Sequence, residues 1–87
     1  MTSNTIDAFK NILSPLTNNN WNFINTNNNA IIMNKKYEEL SEINIQFDKS
    51  NIHLVLPLNN SNYSFYKKFN NIQDSQNYLQ QYIQDLY

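Results

Sequence analysis

Few residues in this chain could do chemistry. They are a lone His53, the carboxylates Glu38, Glu39 and Glu42 in "KYEELSE", and two lysine–aromatic pieces, "NKKY" (Asn34 to Tyr37) and "YKKF" (Tyr66 to Phe69). A zinc site or a nucleophilic triad needs partners for its histidine, and with no cysteine in the chain they would have to come from the carboxylates. The plainer reading makes His53 a cross-strand neighbour of Gln46 on a wetted sheet face. Paired carboxylates do acid–base work when their surroundings split their pKa values. Glu38, Glu39 and Glu42 read more simply as a solvated loop or one-turn helix joining two strands. A phosphate loop of the usual form requires glycine, and there is none. The sequence therefore predicts no catalytic residue, no metal, no cofactor and no small-molecule substrate.

Lysine pairs beside rings suit single-stranded nucleic acid, with lysines along the backbone and rings beneath the bases. On an open sheet face, Lys36, His53, Tyr66 and Lys68 would form such a set. A sheet followed by a C-terminal helix resembles, at the level of fold alone, single-strand-binding transcription coactivators. The formal net charge of -1 and the lack of arginine weigh against it, and lysines on a strand are ordinarily solubilising. "NNS" at Asn59 to Ser61 and "NYS" at Asn62 to Ser64 match the glycosylation pattern, as an Asn- and Ser-rich chain does by accident. Ser14-Pro15 has the form of a phosphorylation site but is sufficiently explained by the end of a helix.

At 87 residues the chain predicts one domain over 1–87, with a core small enough that every element must contribute to it. Glycine, cysteine and arginine are absent, while Asn, Ile, Lys, Tyr and Phe, all with AT-rich codons, dominate. In this the chain resembles small proteins of very AT-rich genomes, such as those of large DNA viruses of amoebae. The likeness is compositional and carries no motif, so it implies an origin and no activity. Without glycine, positions of positive φ should fall to asparagine, the next most tolerant residue. Asn27-Asn28-Asn29, Ser50-Asn51, Asn59-Asn60 and Asn70-Asn71 therefore read as turns. The first ten residues lack the pattern of a secretory signal and no apolar run reaches the length of a membrane span, so the expected location is intracellular.

Ser3 or Thr5 can cap a first helix running to about Ser14, with Ile6, Phe9, Ile12 and Leu13 as its apolar stripe and Pro15 as its stop. A hairpin should follow, from Trp21 to Asn25 and Ala30 to Lys36. A loop at Thr26-Asn27-Asn28 would set Phe23 against Ile31 and Trp21 against Met33, with Ile24 and Ile32 on the other face. The sharpest signal is "SEINIQFDKSNIHLVLPL". A loop at Asp48 to Asn51 pairs Phe47 with Ile52, Ile45 with Leu54 and Ile43 with Leu56, all on one face. "NYSFYKKFNN" reads as a last strand, with Tyr63, Phe65 and Phe69 on one face and Tyr66 and Lys68 on the other. Asn71 then opens a final helix, with Asp74 three residues on. Tyr78, Leu79, Tyr82, Ile83 and Leu86 make its buried side.

The predicted fold is α+β: a two-layer, antiparallel meander of four to five strands in the order α-β-β-β-β-β-α, with both terminal helices on its apolar face. The other face stays open and carries Asn22, Asn44, Gln46, His53, Tyr66 and Lys68 beside apolar Ile24, Ile32 and Val55. Rings and β-branched residues set among amides suit a protein interface, and sheet edges seek partners. The expectation is a non-catalytic interaction or structural module that self-associates as a homodimer or binds another protein. Its contact residues would be Ile24, Ile32, Val55 and Tyr66.

Overall fold

A computed structural model describes residues 2–58 and 63–86. Helix α1 (Ser3–Leu13) buries Ile6, Phe9 and Leu13. Its cap is Thr2 rather than Ser3 or Thr5: the Thr2 hydroxyl accepts the Thr5 amide at 3.4 Å. The α-helix stops at Leu13, just before Ser14-Pro15, as expected, but the chain does not then open into a loop. It tightens into a 3₁₀ helix, Ser14–Asn19, and buries Leu16. Proline at the start of a helix loses only an amide that would have no partner there, so the chain can continue. Asn20 ends this segment at φ 70°, its amide donating to the Leu16 carbonyl.

Five strands follow: β1 (Trp21–Thr26), β2 (Ala30–Lys35), β3 (Glu38–Asp48), β4 (Asn51–Pro57) and β5 (Ser64–Phe69), and helix α2 (Ile72–Leu86) closes the fold. The strands pair antiparallel in sequence order, an open five-stranded meander. The fold is thus α+β, with both helices against one side of the sheet. In β3 and β4 Ile45 faces Leu54 and Phe47 faces Ile52, as alternation predicts, and Asp48 pairs with Asn51, leaving only Lys49-Ser50 as the turn. Ile43, Ile45, Ile52, Leu54 and Leu56 are fully buried. Phe9 sets its ring edge-on to Phe47 at 5.3 Å, Leu79 and Ile83 descend from α2, and the Tyr82 hydroxyl donates to the Pro57 carbonyl at 2.7 Å.

The first hairpin departs from expectation by two residues. Phe23 faces Met33 and Trp21 faces Lys35, with a bulge between Phe23 and Asn25. The cause is the Asn27 side chain, whose oxygen accepts the amides of Asn29 and Ala30 at 2.7 and 3.0 Å and draws the turn further along the chain. A slip of two keeps each side chain on its own face, so Trp21, Ile31 and Met33 are still buried together. The second connection is also shorter than expected. β3 begins at Glu38, leaving Lys36-Tyr37 as the turn, and a bulge lets the strand pair Lys35 with Glu38 but Asn34 with Glu42.

α2 starts where Asn71 accepts the Asp74 amide at 3.0 Å. Ser75, which an apolar pattern does not reveal, is fully buried beside Leu79, its hydroxyl satisfied by the Ile72 carbonyl at 2.7 Å. Phe65 and Phe69 are half-buried against the core, whereas Tyr63 precedes β5 and is exposed. The expected turn at Asn59-Asn60, the first glycosylation pattern and Asn62 of the second fall outside the described residues.

Candidate functional site

Strand pairing brings the predicted contact residues into one line. Ile32 pairs with Asn44, Asn44 with Val55, and Val55 with Tyr66, a row crossing four strands of the uncovered face. At the β1 end the row reaches Asn25, next to Ile24, whose place in the bulge leaves it 55% exposed. Ile32 and Val55 are half-buried, and Tyr66 is 57% exposed. The neighbouring row runs Ala30, Gln46, His53, Lys68.

His53 is the cross-strand neighbour of Gln46, as expected, and also of Lys68. Its ring lies nearly parallel to Tyr66, with centroids 5.8 Å apart and planes at 28°. His53 Nδ1 and the Tyr66 hydroxyl share a hydrogen bond whose donor depends on the imidazole tautomer. The phenol is thereby tied across the sheet rather than free to swing. Amides fill the spaces between these groups, and Gln46 donates to Asn44 along β3 at 2.7 Å.

Of the four residues predicted for nucleic acid, the sheet gathers His53, Tyr66 and Lys68. Lys36 sits in the β2–β3 turn, six residues along β2 from Ala30 and so about 20 Å from the His53 row. Its ammonium lies over the Tyr37 ring at 5.1 Å instead. The carboxylates are likewise drawn apart in role. Glu38 pairs with Lys35 at 3.2 Å and accepts the Ser41 hydroxyl at 3.0 Å. The Lys35 ammonium, and then that hydroxyl, hold the Glu38 carboxyl below its usual pKa. Glu42 lies opposite Asn34, and the Glu39 side chain is outside what the structure describes. Among the described residues no three His, Asp or Glu side chains converge as a metal site would require, and no helix is long and apolar enough to cross a membrane.

A shallow groove between the helices, lined by Asn11, Ile12, Pro15, Gln80, Ile83 and Gln84, was not foreseen in the sequence. It holds no titratable group. Sequence reasoning also missed Asn34, whose side-chain oxygen is buried without a partner where the row beside the apolar line crosses β2. No protein-family model matches the chain, and neither a curated protein nor a solved structure matches it.

Proposed function

We propose that this chain is a non-catalytic interaction module that self-associates through its sheet, by an edge strand or by the uncovered face. The observation that carries the reading is the unbroken row Ile32–Asn44–Val55–Tyr66, flanked by Ile24. It places apolar and aromatic surface in a line among neutral amides and ends at a sheet edge. Scattered apolar residues are normal on any surface, whereas apolar and aromatic residues gathered in one row, with only Asn44 between them, suit an interface centre. Self-association would also reinforce a core limited by the chain's size.

Light scattering across a hundredfold concentration range tests this. The mass should rise from 10.4 kDa at high dilution towards twice that value. A constant monomer mass would remove the reading. A second reading, single-stranded nucleic-acid binding, is favoured by Lys68 standing beside the His53–Tyr66 ring pair. It predicts an oligonucleotide affinity that weakens steeply with salt. Silence in a titration at low salt would end it.

A further inference from the structure

The sheet has two edges, and they differ. The β1 edge is interrupted by the bulge at Ile24 and backed by buried Trp21. β5 pairs with β4 without a bulge from Ser64 to Phe69. Between β5 and α2 stand four half-buried rings: Phe65 against Tyr82 at 6.0 Å and Phe69 against Tyr78 at 5.5 Å.

The ladder fixes which way the backbone of β5 faces. The Leu58 amide donates to the Tyr63 carbonyl at 2.8 Å, so these two form a hydrogen-bonded pair. Bonded and non-bonded pairs alternate along antiparallel strands. Phe65, Lys67 and Phe69 therefore turn their N–H and C=O groups towards β4, and Ser64, Tyr66 and Lys68 turn theirs to the free edge.

Building on the self-association read above, we propose that β5 pairs antiparallel with β5 of a second copy of this chain, about a two-fold axis at Tyr66. Such an axis must match side chains of the same face, so a residue, not a peptide bond, sits on it. Placed at Lys67, the axis would set that lysine against its own copy, a repulsive pair. Placed at Phe65, it would leave Lys67, Lys68 and Phe69 beyond the end of the facing strand. At Tyr66 each lysine meets a neutral residue: Lys68 faces Ser64 and Lys67 faces Phe65. Lys67 already lies over the Tyr78 ring at 5.5 Å, so Phe65 of the second copy adds another ring beside it. The outward groups of Ser64, Tyr66 and Lys68 all find partners, and the half-exposed rings beneath them are covered. The row Ile32–Asn44–Val55–Tyr66 then runs on into its symmetry copy. Edge lysines usually discourage strand addition; here they select the register.

Two measurements test this together. Because the chain has no cysteine, Tyr66→Cys introduces a single thiol. In a hydrogen-bonded antiparallel pair the two Cα atoms lie about 5.5 Å apart, within disulfide reach. Mild oxidation should give a covalent dimer from Tyr66→Cys and none from Val55→Cys. Amide exchange on the unaltered chain covers the case in which losing the phenol disrupts association. The Tyr66 and Lys68 amides should exchange at least tenfold more slowly in concentrated than in dilute protein, while those of Phe65 and Lys67 are protected in both. A dimer that crosslinks through Val55→Cys and leaves the Tyr66 and Lys68 amides unprotected associates face to face. That result overturns the edge pairing and spares the self-association. A single monomer mass at every concentration overturns both.

Discussion

At Asn71 a side-chain oxygen receives the Asp74 amide, and at Asn27 another receives two amides at once. In both places asparagine substitutes a short carbonyl for backbone groups that a helix start or a tight turn leaves unpaired. Removing the oxygen at Asn71 exposes that dependence. Asn71→Ala should lower the stability of the fold by about 1 kcal/mol, read as a lower urea midpoint at unchanged slope. An unchanged midpoint would mean that water caps the helix equally well. The expectation that asparagine supplies positive φ fares differently. Among the described residues such angles occur at Asn20 and also at Tyr37 and Lys49. The latter two occupy the short turns between β2 and β3 and between β3 and β4, where chain reversal dictates the backbone whatever the side chain prefers. Asparagine marked the turn at 27–29 and the neighbourhood of the one at Lys49-Ser50, but neither the turn at Lys36-Tyr37 nor which residue bends.

Among the elements, β3 and β4 were the most legible because two independent alternations had to agree about a shared face. Only one register satisfies Ile45 with Leu54 and Phe47 with Ile52. β1 and β2 offered too little: Ile31-Ile32 are adjacent apolar residues, and the asparagines around the turn leave the pairing to hydrogen bonds that composition does not show. The helices were legible in their stripes, in the stop before Pro15 and in the Asn71 cap, but not in the Thr2 cap or the 3₁₀ segment, which depend on local geometry. Ser75 is buried because it sits one turn before Leu79 on the same stripe and satisfies its own hydroxyl, a role that polarity conceals. The one-sided character of β4 gives a sharp test between neighbours. Leu54→Ala empties a fully buried site and should cost about 2–5 kcal/mol. Val55→Ala, on the half-buried open face, should cost clearly less in the same denaturation experiment. Equal losses would mean that something covers both faces of the sheet.

At the scale of the molecule, the candidate contact row was legible as a set of residues and not as a line. Alternation assigns Ile32, Val55 and Tyr66 to one face. Only the sheet order, with the Asn27 turn and the β1 bulge, aligns them with Asn44 between them. The same order parts Lys36 from His53 by the length of the sheet. A domain that relies on a second copy should also show that reliance in its melting. When a dimer unfolds to two chains, each tenfold rise in concentration adds about 1.4 kcal/mol per dimer. For an assembly of that size this corresponds to about 3–5 °C in melting temperature. Lys68→Pro removes one outward amide from β5 at a position where an edge strand tolerates proline. Its melting temperature should therefore stay flat over the range in which that of the unaltered chain climbs. If both melt independently of concentration, β5 is an ordinary guarded edge and its lysines serve to keep other strands away.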